Sequence, residues 1–129
     1  MAIVSLRFQP APEHVRTARL VAVATARRAG LDEERLDEVR LAVGEVCARA
    51  VRRSQRAGVS GRLLVQLDDG PANFSVEVTD HAGAVDLEEE SIALALVRGL
   101  ADVVTVVDGP GGPGGAVCLT WNSNHGRGR

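Results

Sequence analysis

Residues 36–50 read LDEVRLAVGEVCARA, and Leu36, Val39, Val43, Val46 and Ala50 recur through them at three- and four-residue spacing. That period puts all five on one side of an α-helix, so the segment is an amphipathic helix with a continuous apolar stripe turned toward a core. Just upstream, Gly30 closes one helical run and Asp32 offers an N-cap for this one. Glu33 and Glu34 suit the positive end of its dipole. Downstream the stripe fades near Gly58.

On the N-terminal side, Glu13 to Ala29 is rich in Ala, Val, Leu and Arg and forms a helix of its own. Ahead of it Ile3 to Phe8 alternates, with Val4, Leu6 and Phe8 on one side, and Pro10 and Pro12 end it, as befits an edge strand. On the C-terminal side, the strand-like runs Arg62 to Leu67 and Phe74 to Thr79 flank Asp68-Asp69-Gly70-Pro71, a hairpin pattern. Ser91 to Ala101 carries a third helical stripe through Ile92, Leu96 and Leu100. Val103 to Val107 and Ala116 to Trp121 are closing strands. The stretch Gly109 to Gly115 between them reads as a flexible hairpin loop, because no helix follows it to bind a phosphate. The order β-α-α-β-β-α-β-β predicts an α/β (α+β) two-layer sandwich: a five-stranded mixed sheet covered on one face by three helices. Residues 1–121 make one domain and 122–129 a polar, flexible tail.

Composition narrows the function. A net charge of −2 lacks the basic excess of a nucleic-acid binder, and Phe8, Phe74 and Trp121 are too few aromatics for a base-stacking platform. All 15 basic residues are Arg, a genome-level bias rather than a site. Cys47 and Cys118 have neither metal nor redox spacing, and His14, His81 and His125 are isolated, as surface histidines are. No serine stands in a nucleophile elbow. The longest near-apolar run, Leu20 to Ala26, is too short to cross a bilayer and no signal peptide is evident, so a cytoplasmic protein without membrane contact is expected. Arg49, Arg52, Arg53 and Arg56 cluster near the end of the second helix, where cations complement the dipole, and read as surface.

Three stretches together resemble the anti-sigma regulatory factors and serine-protein kinases that carry a histidine-kinase-like (Bergerat, GHKL) ATPase domain. Leu36 to Ala50 looks like the helix bearing that family's N-box, a Glu followed four residues later by Asn. Val76 to Ala84, VEVTDHAGA, stands where the family has a strand ending in Asp-x-Gly-x-Gly. Ser91 to Asp102, SIALALVRGLAD, is similar to its Gly-x-Gly-Leu-x-Leu-Val segment, and the closing strand pair ends in the family's manner at Trp121.

The resemblance implies that Glu45 matches the general base and that Asp80 stands where the adenine amino group is bound. The departures fall in the phosphate and metal half. Arg49 holds the position of the Mg²⁺-ligating Asn, and a guanidinium has no lone pair for a cation. Arg49 also lies one turn from Glu45, in reach of an ion pair that would hold Glu45 as a charged partner; a solvated surface pair is the alternative. Ala82 and Ala84 replace the two glycines after Asp80, with Gly83 out of register, and Ser91 and Ala93 replace the phosphate-loop glycines. Glu88, Glu89 and Glu90, a typical solvated helix start, add negative charge nearby.

The expectation is therefore a non-catalytic, pseudokinase-like regulator with no metal, no resident cofactor and no catalytic residue in action. What the resemblance implies for partners is a sigma factor or a STAS-type anti-anti-sigma protein, and a homodimer built through the first strand and helix. Three alternatives stay open: a divergent ATP·Mg²⁺-dependent serine-protein kinase, a weak adenine nucleotide site around Asp80, and a regulator of an unrelated partner using the vacant pocket.

Overall fold

The computed structural model describes residues 2–83 and 87–122, apart from the side chains of residues 2 and 87–91. The elements are β1 (Ala2–Phe8), α1 (Glu13–Arg28), α2 (Glu33–Ala57), β2 (Leu63–Asp69), β3 (Asn73–Thr79), α3 (Leu87–Arg98), β4 (Val103–Gly109) and β5 (Gly112–Asn122). Among the described residues the strands form one sheet in the order β1-β2-β3-β5-β4.

Every neighbouring pair is antiparallel, which corrects the mixed sheet expected from the sequence. Two helices in succession, α1 and α2, return the chain to the end of the sheet where β1 finished, so β2 runs back against it. The single-helix crossover β3–α3–β4 does make β3 and β4 parallel in direction. They never pair, because β5 lies between them and runs against both.

The helices close one face of this sheet. Leu63, Val65 and Leu67 of β2, Phe74, Val76 and Val78 of β3, and Val117, Leu119 and Trp121 of β5 are buried against α1, α2 and α3. All five stripe residues of α2, Leu36, Val39, Val43, Val46 and Ala50, are in this core. Asp32 caps α2 by accepting from the Arg35 amide at 3.0 Å. Gly30 and Gly58, both at positive φ, stand where α1 and α2 end.

The phase of α3 differs from expectation. Ile92 and Leu96 are 64% and 58% exposed, whereas Ala93 and Val97 are buried. The helix is turned by one residue, about 100°, which puts Ala93 and Val97 on its buried side. It also starts earlier, at Leu87, and ends earlier, at Arg98. Beyond that end the Leu100 carbonyl accepts from the Trp121 indole at 2.9 Å.

Two further boundaries move. The glycine-rich stretch is mostly paired strand, since β4 continues through Gly109 and β5 starts at Gly112, leaving a tight turn at residues 110–111. Asn122, expected in the tail, belongs to β5, and its amide donates to Asp102 Oδ2 at 2.7 Å; residues 123–129 lie outside the described residues. Arg35 of α2 grips the same Asp102 carboxylate through both terminal nitrogens, at 3.1 and 3.0 Å, tying α2 to the start of β4.

Cys47 is fully buried, and burial pushes its thiol up to about 12. At pH 8 roughly one thiol in ten thousand is then ionised. Ellman-type labelling of the native protein should therefore leave Cys47 untouched until urea unfolds the chain. Cys118, half-buried, should react first but slowly; native labelling of Cys47 at the rate of an exposed thiol would contradict its position.

Candidate functional site

Where β3 ends, the chain keeps contact with β5 for one residue past the ladder, the Asp80 amide donating to the Gly115 carbonyl at 2.8 Å. Asp80 is 1% exposed. Its Oδ1 accepts from the Ala82 amide at 3.0 Å, the self-bonded turn that Asp favours after a strand. Its Oδ2 accepts from Arg53 Nε at 2.9 Å.

Arg53 comes from α2 and is itself 2% exposed. Its Nη2 donates to the carbonyls of Gly83 at 2.9 Å, Ala82 at 3.2 Å and Pro113 at 3.3 Å. One guanidinium thus joins α2, the segment after β3 and the β4–β5 hairpin. The hairpin can come this near because residue 111 is glycine: a Cβ there would fall on the His81 carbonyl oxygen. Burial is the larger influence on Asp80 and pushes its carboxyl above the usual carboxylate range, while Arg53 and the Ala82 amide pull it back. Arg49, one turn before Arg53, is also buried at 3% exposure, and its charge likewise bears on Asp80.

The surface reading of the arginine group is therefore corrected for Arg49 and Arg53. The signal was in the helix period. Arg53 follows Ala50 by three residues and Val46 by seven, so it continues the apolar stripe, and Ser54 beside it is buried as well. A charge on a buried stripe requires a counter-charge, and Asp80 is the acid that β3 delivers to that end of the sheet.

Glu45 belongs to a different surface. It is half-buried, and its ion pair is with Arg52 at 3.5 Å rather than with Arg49. The reason is angular: Arg52 lies seven residues on, back on the same side of α2, whereas Arg49 is turned inward toward Asp80. Both partners of that pair are about a third exposed, so it contributes at most a few tenths of a kcal/mol. Together they line a groove of about 830 Å³ between α1 and α2, with Arg16, Arg19, Arg40 and Leu41.

The structure thus brings together Asp80, Ala82, Gly83 and Arg49 of the residues singled out from the sequence, and separates Glu45 from them. Ala82 is fully buried and offers its amide and carbonyl to the Asp80–Arg53 pair. Ala93 is buried on α3, away from solvent. Ala84 and the side chains of Ser91 and residues 88–90 lie outside the described residues. Among the described residues no helix is long and apolar enough to cross a membrane.

Comparison with known proteins agrees with this architecture. The profile of the histidine kinase-like ATPase domain matches residues 8–121. The serine-protein kinases RsbW of Listeria innocua serovar 6a and Listeria monocytogenes serovar 1/2a are each 27% identical over 85 residues, 66% of this chain and 54% of theirs. The chain thus spans about half the length of the curated relatives it matches. The crystal structure of the RsbU and RsbW domains of Rv1364c from Mycobacterium tuberculosis superposes with a TM-score of 0.72 at 21% identity, covering 94% of this chain and 32% of that one. With that profile matched over most of its length, the chain belongs to the histidine kinase-like ATPase domain family.

Proposed function

We propose that this chain is an anti-sigma-type regulator that works by binding another protein and that its nucleotide site is closed. The observation that carries the reading is the Arg53–Asp80 contact: the carboxylate in the adenine position already spends its oxygens on Arg53 and on the Ala82 amide. A second arginine, Arg49, stands buried in the position of the metal-ligating Asn. Guanidinium groups cannot ligate Mg²⁺, so the residues present do not fit ATP·Mg²⁺. Glu45, matched to the general base, faces the α1–α2 groove with Arg52 as its partner.

Protein binding does not need that site. The resemblance to anti-sigma regulatory factors supports the partner class, a sigma factor or a STAS-type antagonist, and a homodimer through β1 and α1 is part of the same proposal. Calorimetry with ATP and ADP in the presence of Mg²⁺ should show no saturable heat, and neither nucleotide should raise Tm, since a ligand held only by the native state must stabilise it. Micromolar binding would return the chain to the kinases. Affinity capture from a bacterial lysate should recover a sigma factor or a STAS protein; recovery of neither would overturn the partner class.

A further inference from the structure

Among the described residues, Asp80 Oδ2 and the carbonyl oxygens of Ala82, Gly83 and Pro113, four acceptor atoms, converge on the Arg53 guanidinium. All four accept; none donates. The Ala82 amide is bound to Asp80 Oδ1, and the Asp80 amide to the Gly115 carbonyl. Adenine offers one amino group but also ring nitrogens that need donors. A guanidinium offers donors only, in one plane, with a positive charge to meet the carboxylate. The cradle fits the second group and not the first.

We propose that the old adenine end of this fold has become a guanidinium cradle, filled in the native chain by Arg53 as a built-in ligand, and that it will accept a free planar cation of the same class once Arg53 is cut back. The inference rests on the reading that the nucleotide site is closed, but the two fail separately: nucleotide binding by the wild-type chain sinks that reading, while the test below concerns the cradle alone.

Arg53→Ala removes the donors and leaves Asp80 buried beside the three carbonyls. Methylguanidinium chloride should then raise the Tm of Arg53→Ala saturably, by roughly 4–8 °C at about 10 mM, a concentration far below the denaturing range of guanidinium. The wild-type protein should not respond, and neither variant should respond to methylammonium chloride at the same ionic strength. Adenosine should have no effect on Arg53→Ala. Equal responses to the two cations, no response at all, or a saturable response to adenosine would each overturn the proposal.

Should Arg53→Ala be unfolded in buffer, the circular dichroism of the chain should return toward native on adding methylguanidinium and not on adding methylammonium; failure to return counts against the cradle. Arg53→Lys supplies a second measure, since it keeps the charge but cannot span from Asp80 to the Ala82, Gly83 and Pro113 carbonyls. It should melt well below wild type. An Arg53→Lys protein as stable as wild type would show that charge alone is needed, and that outcome refutes a cradle selective for a planar, many-donor cation.

Discussion

Arg53→Ala and Asp80→Ala should each lower the unfolding free energy by about 3–5 kcal/mol, and the double variant by much less than their sum. The pair is the most deeply buried ion pair described, at 2% and 1% side-chain exposure. Removing either member takes from the other its directly bonded opposite charge in the interior. In Arg53→Ala the loss extends to the Gly83, Ala82 and Pro113 carbonyls, which part with a common donor. Urea unfolding followed by circular dichroism measures all three variants at neutral pH; additive losses would mean that the two side chains do not act as a pair. Acid conditions give an independent check. Because burial raises the Asp80 carboxyl above its unfolded value, the native state holds that proton more tightly. The Asp80 contribution is complete below the ordinary carboxylate range and declines as pH rises through the raised value. Asp80→Asn should flatten that part of the stability profile.

The pair also explains why so much of this protein was legible and its site was not. The stripe of α2, the Asp32 cap and the β2–β3 hairpin follow from local rules, period and turn chemistry, which need no knowledge of distant residues. The resemblance then located Asp80. Arg53 is different in kind, because its role depends on a residue 27 positions away across the core. Read locally, four arginines near a helix C-terminus complement the dipole; read by period, Arg53 continues a buried stripe, and the second reading is the one the fold obeys. The same limit applies to α3. Of the expected stripe, Leu100 packs against the core, but Ile92 and Leu96 are exposed and Ala93 and Val97, one residue along, are buried instead, a choice that no local rule makes. Strand direction failed for a comparable reason: a single-helix crossover does make two strands parallel, and nothing local indicates that a later strand will separate them.

Gly111→Ala tests whether the β4–β5 hairpin is part of the site or merely near it. An added Cβ falls on the His81 carbonyl oxygen, which is backbone and cannot rotate aside, so the turn must lift from residues 81–83. Overpacking of that kind costs about 2–3 kcal/mol. The same movement should carry the Pro113 carbonyl away from Arg53, since residue 113 lies two positions beyond 111 on the hairpin. Two consequences separate this from a local clash. The amide of Asp80, which donates to Gly115 at 2.8 Å, should lose hydrogen-exchange protection in the variant. The cost of Gly111→Ala should also shrink when it is introduced into Arg53→Ala, where the contact it breaks is already gone. Gly99→Ala, whose added Cβ meets only an ordinary contact at 3.5 Å, is the control and should leave that protection unchanged. If Gly111→Ala costs the same in both backgrounds, the hairpin is held by its own ladder. Arg53 would then be anchored by Asp80 and the residues after β3 alone.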